Sequence, residues 1–235
     1  MKEKPVFNID ISNFTRNPYP DLKEMRTLNP ICFVPQVKAT MICDRESIYD
    51  CEKNIDVFSS VQPQGLMTLL MGQNMMRKDG KDHLMERKTI FKTISPKTSR
   101  DHWKDRFETI ADNIVDKIKM LKSGDLLTLY AKEFSAECLK LVTGLTNMTA
   151  DEMDRVSQGM IDGCSNYTGD KNIEKYCNNC TESIDAHINE IVRTKSRDYD
   201  FSMISAMLKG NLSSDQISAN IKLAISGGQN EPRDA

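Results

Sequence analysis

From Trp103 onward, apolar residues return every three or four positions. Trp103, Phe107, Ile110, Ile114, Ile118 and Leu121 form one series, and Leu127, Tyr130, Phe134, Cys138, Leu141 and Leu145 form a second. Ile173, Cys177, Cys180, Ile184, Ile188 and Ile191 form another. That spacing is the α period, so each series predicts one apolar helix face. Successive helices of this kind must bury those faces against one another, which dictates a packed helical body. Gly124-Asp125 and Gly144 punctuate the run. Thr149-Ala150-Asp151-Glu152 predicts a capping box opening a helix that carries Met153, Val156, Met160 and Cys164. A short helix from Phe201 to Leu208 ends at Gly210-Asn211. Ser213 with Gln216 predicts a second capping box, opening a last helix on Ile217, Ile221, Ala224 and Ile225.

The first third of the chain reads differently. Pro18-Tyr19-Pro20-Asp21 opens a helix through Leu28, and Asn29-Pro30 ends it. Ile31 to Val34 and Thr40 to Cys43, separated by Pro35-Gln36-Val37-Lys38, predict a β-hairpin. Asp44 then caps a helix over Arg45 to Asn54. Residues 59 to 78 have no clean period. With Pro63, Gly65, Gly72 and the methionines 67, 71, 75 and 76 they read as a long apolar loop with one helical turn. From residue 80 the pattern is helical almost throughout. The expected fold is mainly α with a small N-terminal β-hairpin, one unit over residues 1–235 without repeats or low-complexity linkers.

Composition excludes several functions. The net charge is -2 with 28% charged residues, so neither a nucleic-acid patch nor an acidic arm is indicated. No apolar run approaches the ~18–20 residues that span a bilayer. The charged start Met1-Lys2-Glu3-Lys4-Pro5 leads into no signal-peptide apolar region, so a soluble cytoplasmic protein with no membrane anchor is expected. Seven cysteines, an odd number without framework spacing, fit that compartment.

Few residues suggest chemistry. His83 and Arg87 are four apart and share a helix face that continues as Ile90 and Ile94. An inward His and Arg would suit a cofactor carboxylate. The spacing alone favours a plainer reading, an exposed helix start with Arg87 paired to Glu86 or Asp82. The last helix carries Gly227 and Gly228, each costing ~1 kcal/mol against alanine in a helix, and then Pro232. In a continuous helix Pro232 removes the partner of the Gly228 carbonyl, so the helix must kink or open. Asn230 and Glu231 would border the resulting groove. The simpler reading makes Gly227-Gly228 a C-cap and Pro232 a stop. Cys177-x2-Cys180 has metal spacing, but both lie on an apolar stripe with no second pair. Two buried structural thiols are expected there. The methionine cluster reads as core filler that would also suit the wall of an apolar pocket.

Taken in order, these segments resemble a soluble bacterial cytochrome P450. Asn17-Pro18-Tyr19-Pro20 is similar to the family's opening helix, and Asp56-Val57-Phe58-Ser59-Ser60 to the segment before its substrate-roof loop. His83-x3-Arg87 resembles the motif that binds a haem propionate. Ser226-Gly227-Gly228-Gln229-Asn230-Glu231 resembles the central helix that passes over the haem iron. The resemblance covers nearly the whole chain and implies a P450-like helical fold, incomplete at the C-terminus and ending within that central helix.

The resemblance implies haem b for the complete protein, bound through His83, Arg87, Gly227 and Gly228. It implies a monooxygenase acting on a small apolar substrate with dioxygen and a ferredoxin- or flavodoxin-type electron donor. Leu66, Leu69, Leu70, Leu223 and Ala224 would line the substrate pocket. Two departures stand out. Asn230 and Glu231 take the places of the family's acid and threonine, so proton delivery falls to Glu231, or to water held at the kink, if burial raises the Glu231 pKa. The family's Glu-x-x-Arg pair and axial cysteine loop are expected beyond residue 235, so no metal ligand is assigned within it. Alone, such a chain is expected to be inactive, with exposed apolar surface. The alternatives are a non-enzymatic helical binding module and a non-functional truncated P450.

Overall fold

A computed structural model describes residues 5–194 and 200–235. Residues 1–4, four of the five in the charged start read above, lie outside the described residues. The chain forms two compact units that divide between Ser59 and Ser60.

In the first unit, strands β1 (Ile31–Val34) and β2 (Ala39–Ile42) pair antiparallel, with Ile31 opposite Ile42 and Val34 opposite Ala39. β2 starts one residue earlier than expected. Lys38 takes φ 53° and donates its N–H to the Pro35 carbonyl at 3.1 Å, closing the turn sooner. Three helices accompany the hairpin: α1 (Ile11–Arg16), α2 (Tyr19–Leu28) and α3 (Arg45–Lys53). α1 was not expected, for it buries no residue and has no apolar stripe. The Asp10 carboxylate starts it by accepting the Asn13 N–H at 2.8 Å. Asp44 caps α3 as expected, accepting the Ser47 N–H at 2.8 Å. Those Ser47 hydrogen bonds hold the Asp44 carboxyl below the usual carboxylate range. Ile9, Met25, Cys32 and Val34 form this unit's core.

The second unit begins with α4 (Leu66–Met71) and a 3-10 turn over Met75–Arg77. The segment expected to be a loop with one helical turn is thus more ordered. It continues through α5 (Gly80–Ile94), a single turn α6 (Pro96–Thr98), and α7 (Lys104–Ile118). Then come α8 (Lys132–Thr143), α9 (Ala150–Cys164), α10 (Lys171–Thr194), α11 (Met203–Lys209), α12 (Ser214–Gly228) and α13 (Asn230–Asp234). One core joins Met153, Val156 and Met160 of α9 to Cys177, Cys180, Ile184 and Ile188 of α10 and Ile217, Ile221 and Ile225 of α12. No helix among the described residues is long and apolar enough to cross a membrane.

α9 and α10 approach closely because α9 presents glycines to cysteines. A Cβ on Gly159 would lie 2.4 Å from Cys180 Sγ, and one on Gly163 2.5 Å from Cys177 Sγ. Both cysteines are fully buried, and burial pushes the Cys177 thiol up to about 11. Their spacing therefore serves packing, as the apolar stripe indicated.

Two local expectations fail for identifiable reasons. α8 buries Ser135, Ala136, Leu139 and Thr143 rather than the Phe134, Cys138 and Leu141 face. A π turn over Leu127–Ala131 precedes it and adds a residue to that turn, so the apolar register does not carry through. Thr149 accepts the Glu152 N–H at 3.1 Å, which is half of a capping box. The Glu152 carboxylate turns instead to Arg155 at 2.7 Å and Ser183 at 2.6 Å. The box at Ser213 and Gln216 is complete.

Candidate cofactor-facing site

The start of α5 is built around a carboxylate that the sequence reading passed over. Glu86 has 0% exposure. Its Oε1 takes the Lys78 ammonium and the Gln216 Nε2–H at 2.7 Å, and its Oε2 takes the Asn220 Nδ2–H at 2.9 Å. A buried charge survives only when paired and hydrogen-bonded, and both of its oxygens are served here. Glu86, Ile90 and Thr93 repeat at helical spacing along the buried face of α5. That spacing was the signal in the sequence, and a glutamate on it disguised the face.

His83 is half-buried and its Nδ1 lies 2.8 Å from the Met75 carbonyl. A carbonyl only accepts, so Nδ1 carries the proton and Nε2 is the ring nitrogen left for another group. Arg87 is exposed and pairs with nothing among the described residues. The ion pair to Glu86 does not form, because Glu86 points into the core. At about 100° per residue, His83, Leu84, Arg87, Phe91 and Ile94 share roughly one third of the α5 circumference. Leu84, Phe91 and Ile94 are each about half exposed. The expected inward stripe is thus buried at Ile90 but open at Ile94.

The end of α12 breaks ahead of Pro232, as the proline reading expected, and excludes the C-cap reading. Neither Gly227 nor Gly228 has a positive φ, so the pair is not a C-cap and the helix runs through both. The break comes at Gln229, and α13 restarts with Pro232 in its first turn, where no N–H is required. The Gly228 carbonyl is not left free either. Ser135 Oγ–H donates to the Gln229 carbonyl at 2.8 Å and lies 3.3 Å from the Gly228 carbonyl, so its one proton is shared between them. Gly228 lies close to α8: a Cβ there would be 2.8 Å from Leu139 Cδ1, so the end of that side chain would have to shift. The atoms nearest a Cβ on Gly227 belong to the Glu231 carboxylate, at 3.4 Å.

Gln229 is locked by the Asp154 carboxylate at 3.1 Å, which also receives Arg233 at 2.9 Å. Asn230 is 6% exposed, and neither its Oδ1 nor its Nδ2 has a partner. A buried amide with both ends unmet marks a place for water or a polar ligand atom. Glu231 is exposed, so the burial that acid work was expected to need is not supplied by the described residues.

α4 lies against α12: a Cβ on Gly72, at φ +87°, would be 3.2 Å from Ala219 Cβ, and the Met75 N–H reaches Asn220 Oδ1 at 3.0 Å. Leu66, Leu70, Leu223 and Ala224 are half-buried and Leu69 is exposed. Leu70 also packs toward Gly163 of α9. The structure therefore joins the His83 turn to the first half of α12. Gly227 lies seven residues beyond Asn220, about 10 Å along the axis.

No protein-family model matches the chain. Solved structures do match its fold. One is P450BioI, solved in complex with an acyl carrier protein ligated to hexadec-9Z-enoic acid: TM-score 0.75, 16% identity, covering 94% of this chain and 59% of that one. CYP109E1 from Bacillus megaterium, solved in complex with testosterone, gives TM-score 0.75 and 15% identity, covering 94% of this chain and 58% of that one. The fold is that of a cytochrome P450. The Bacillus subtilis bacillaene polyketide synthase cytochrome P450 PksS agrees, with TM-score 0.67 and 16% identity, covering 93% of this chain and 57% of that one. The chain spans a little under three fifths of the length of these cytochrome P450 structures. The mainly helical body with one small antiparallel hairpin is thereby accounted for.

Proposed function

We propose that this chain belongs to a cytochrome P450 haem-thiolate monooxygenase, with both units part of one P450 domain. The observation that carries the proposal is on α5: an unpaired guanidinium, Arg87, set in an uncovered apolar arc one turn after His83. A flat apolar cofactor bearing carboxylates fits that surface. Leu84, Phe91 and Ile94 would bound its apolar part, and Arg87 and His83 would hold a propionate. Haem b, when bound, would supply dioxygen activation.

The chain's own residues bind, shape and relay. Gly227, which has no side chain, would allow close approach to α12, and Gly228 lies beside Leu139 of α8. The unpartnered Asn230 amide would hold a water at the break, and Glu231, one residue on and open to solvent, would pass a proton between that water and solvent. Leu66, Leu69, Leu70, Leu223 and Ala224 bound the pocket for a small apolar substrate. Electrons come from a ferredoxin- or flavodoxin-type donor, and the protein works in the cytoplasm. The test is haem retention. Arg87→Ala in the haem-loaded protein should lower the haem-to-protein ratio after gel filtration with helicity unchanged; an unaltered ratio removes Arg87 from this role.

A further inference from the structure

We infer that Asn220, on α12, is a positioning residue that sets the ring state of His83 on α5. The inference rests on the role given to His83 above, but its test does not. No hydrogen bond joins Asn220 directly to His83 among the described residues. It acts through the 3-10 turn between them: Asn220 Oδ1 accepts the Met75 N–H at 3.0 Å, and the Met75 carbonyl accepts His83 Nδ1–H at 2.8 Å. One peptide unit on either side of the Met75 Cα thus links the two side chains.

The orientation of the Asn220 amide is fixed by chemistry. Its nitrogen faces two acceptors, Glu86 Oε2 at 2.9 Å and the Gln216 carbonyl at 2.8 Å. Its oxygen faces a donor. A flipped amide would set oxygen against two oxygens and an NH2 group against an N–H, losing all three bonds. Asn220 is itself 0% exposed, so water does not compete for these bonds. Glu86, held by Lys78 and Gln216, is the fixed point from which the amide is aimed.

The consequence is a single tautomer. With Nδ1 committed to a backbone carbonyl, Nε2 is the nitrogen free to meet a bound group. A second-sphere partner that fixes the tautomer and ring direction of a working histidine is a recurrent device. Here that partner is a backbone carbonyl, and Asn220 holds the carbonyl in place. The same connection ties the helix carrying Gly227 and Gly228 to the histidine, so a displacement of α12 near Asn220 is transmitted to the imidazole.

The experiment is long-range proton–nitrogen NMR on the 235-residue chain labelled with 15N-histidine. The chain has three histidines, and His83→Gln assigns the His83 signals. In the parent chain at neutral ring charge, Nδ1 should show the shift of a protonated nitrogen and Nε2 that of a bare one. Asn220→Leu keeps the branched shape and removes the acceptor, and it should move Nδ1 toward the bare-nitrogen shift. Asn220→Ala, which cannot overpack, should do the same and replaces Asn220→Leu if that variant does not fold. Gln216→Leu cuts into the same network but leaves the Met75 bond, and it should leave the His83 pattern in place. An Asn220 variant with unchanged His83 shifts overturns the inference, as does a Gln216→Leu variant that shifts His83 equally. Haem retention of the Asn220 variants is read separately. A moved tautomer with unchanged retention supports the positioning role and counts against the propionate role of His83.

Discussion

Ser135→Ala removes one hydroxyl from α8 and should loosen the end of α12. The Ser135 proton lies between the carbonyls of Gly228 and Gln229, at 3.3 and 2.8 Å. The residue is 4% exposed, so water does not replace it. Gly228 has no helical donor, because the residue four positions on is Pro232. Leaving a buried acceptor unmet costs about 1–3 kcal/mol. At roughly 2–4 °C per kcal/mol for a chain of this size, the melting temperature should fall by about 2–12 °C. Pro232→Ala restores an N–H that can reach the Gly228 carbonyl. Alone it should be nearly neutral, but it should recover about 1 kcal/mol of the Ser135→Ala loss, a coupling measurable by a double-mutant cycle. The assay is urea unfolding followed by circular dichroism, with equal slopes required of all four proteins. A Ser135→Ala loss below about 0.5 kcal/mol, or losses that simply add, would refute the capping argument.

Other consequences are local. Gly159→Ala drives a methyl toward Cys180 Sγ, 2.4 Å from the ideal Cβ position, and should cost about 1–3 kcal/mol, relieved when Cys180→Ala is added. Burial pushes the Cys138 thiol to about 12 and the Cys177 thiol to about 11, against an ordinary 9.0. Both folded-state values are raised, so their stabilisation is intact below the ordinary thiol value and is lost as pH rises through 11 and 12. The urea midpoint should therefore fall on the alkaline side, and replacing both cysteines by alanine should flatten that fall; an equally steep fall in the doubly substituted chain would assign it to other groups.

Legibility in the sequence followed burial. α10 and α12 announce themselves because one face of each is apolar and stays buried, and Asp44 and Ser213 because a cap needs only a residue and its third neighbour. α1 has no buried residue and so no stripe to find. The α8 face was misplaced because a π turn upstream shifts register without any mark in composition. The fate of Gly227-Gly228 depended on Ser135, 93 positions away from Gly228, whose hydroxyl makes a break at Gln229 tolerable. His83 and Arg87 were visible as a spaced pair. Glu86, Gln216 and Asn220 were hidden, because a buried polar hub breaks the apolar period it sits in and only the tertiary fold brings its members together.

The most direct test of the proposed function is the absorption spectrum of the reduced, carbon monoxide-treated protein expressed from its full reading frame. The account predicts one tightly held haem per chain, the red-shifted Soret band of thiolate ligation, and haem loss on Arg87→Ala. A folded, haem-free protein that unfolds cooperatively and gains no such band when haem is supplied would contradict it, and would make the helical body a binding module.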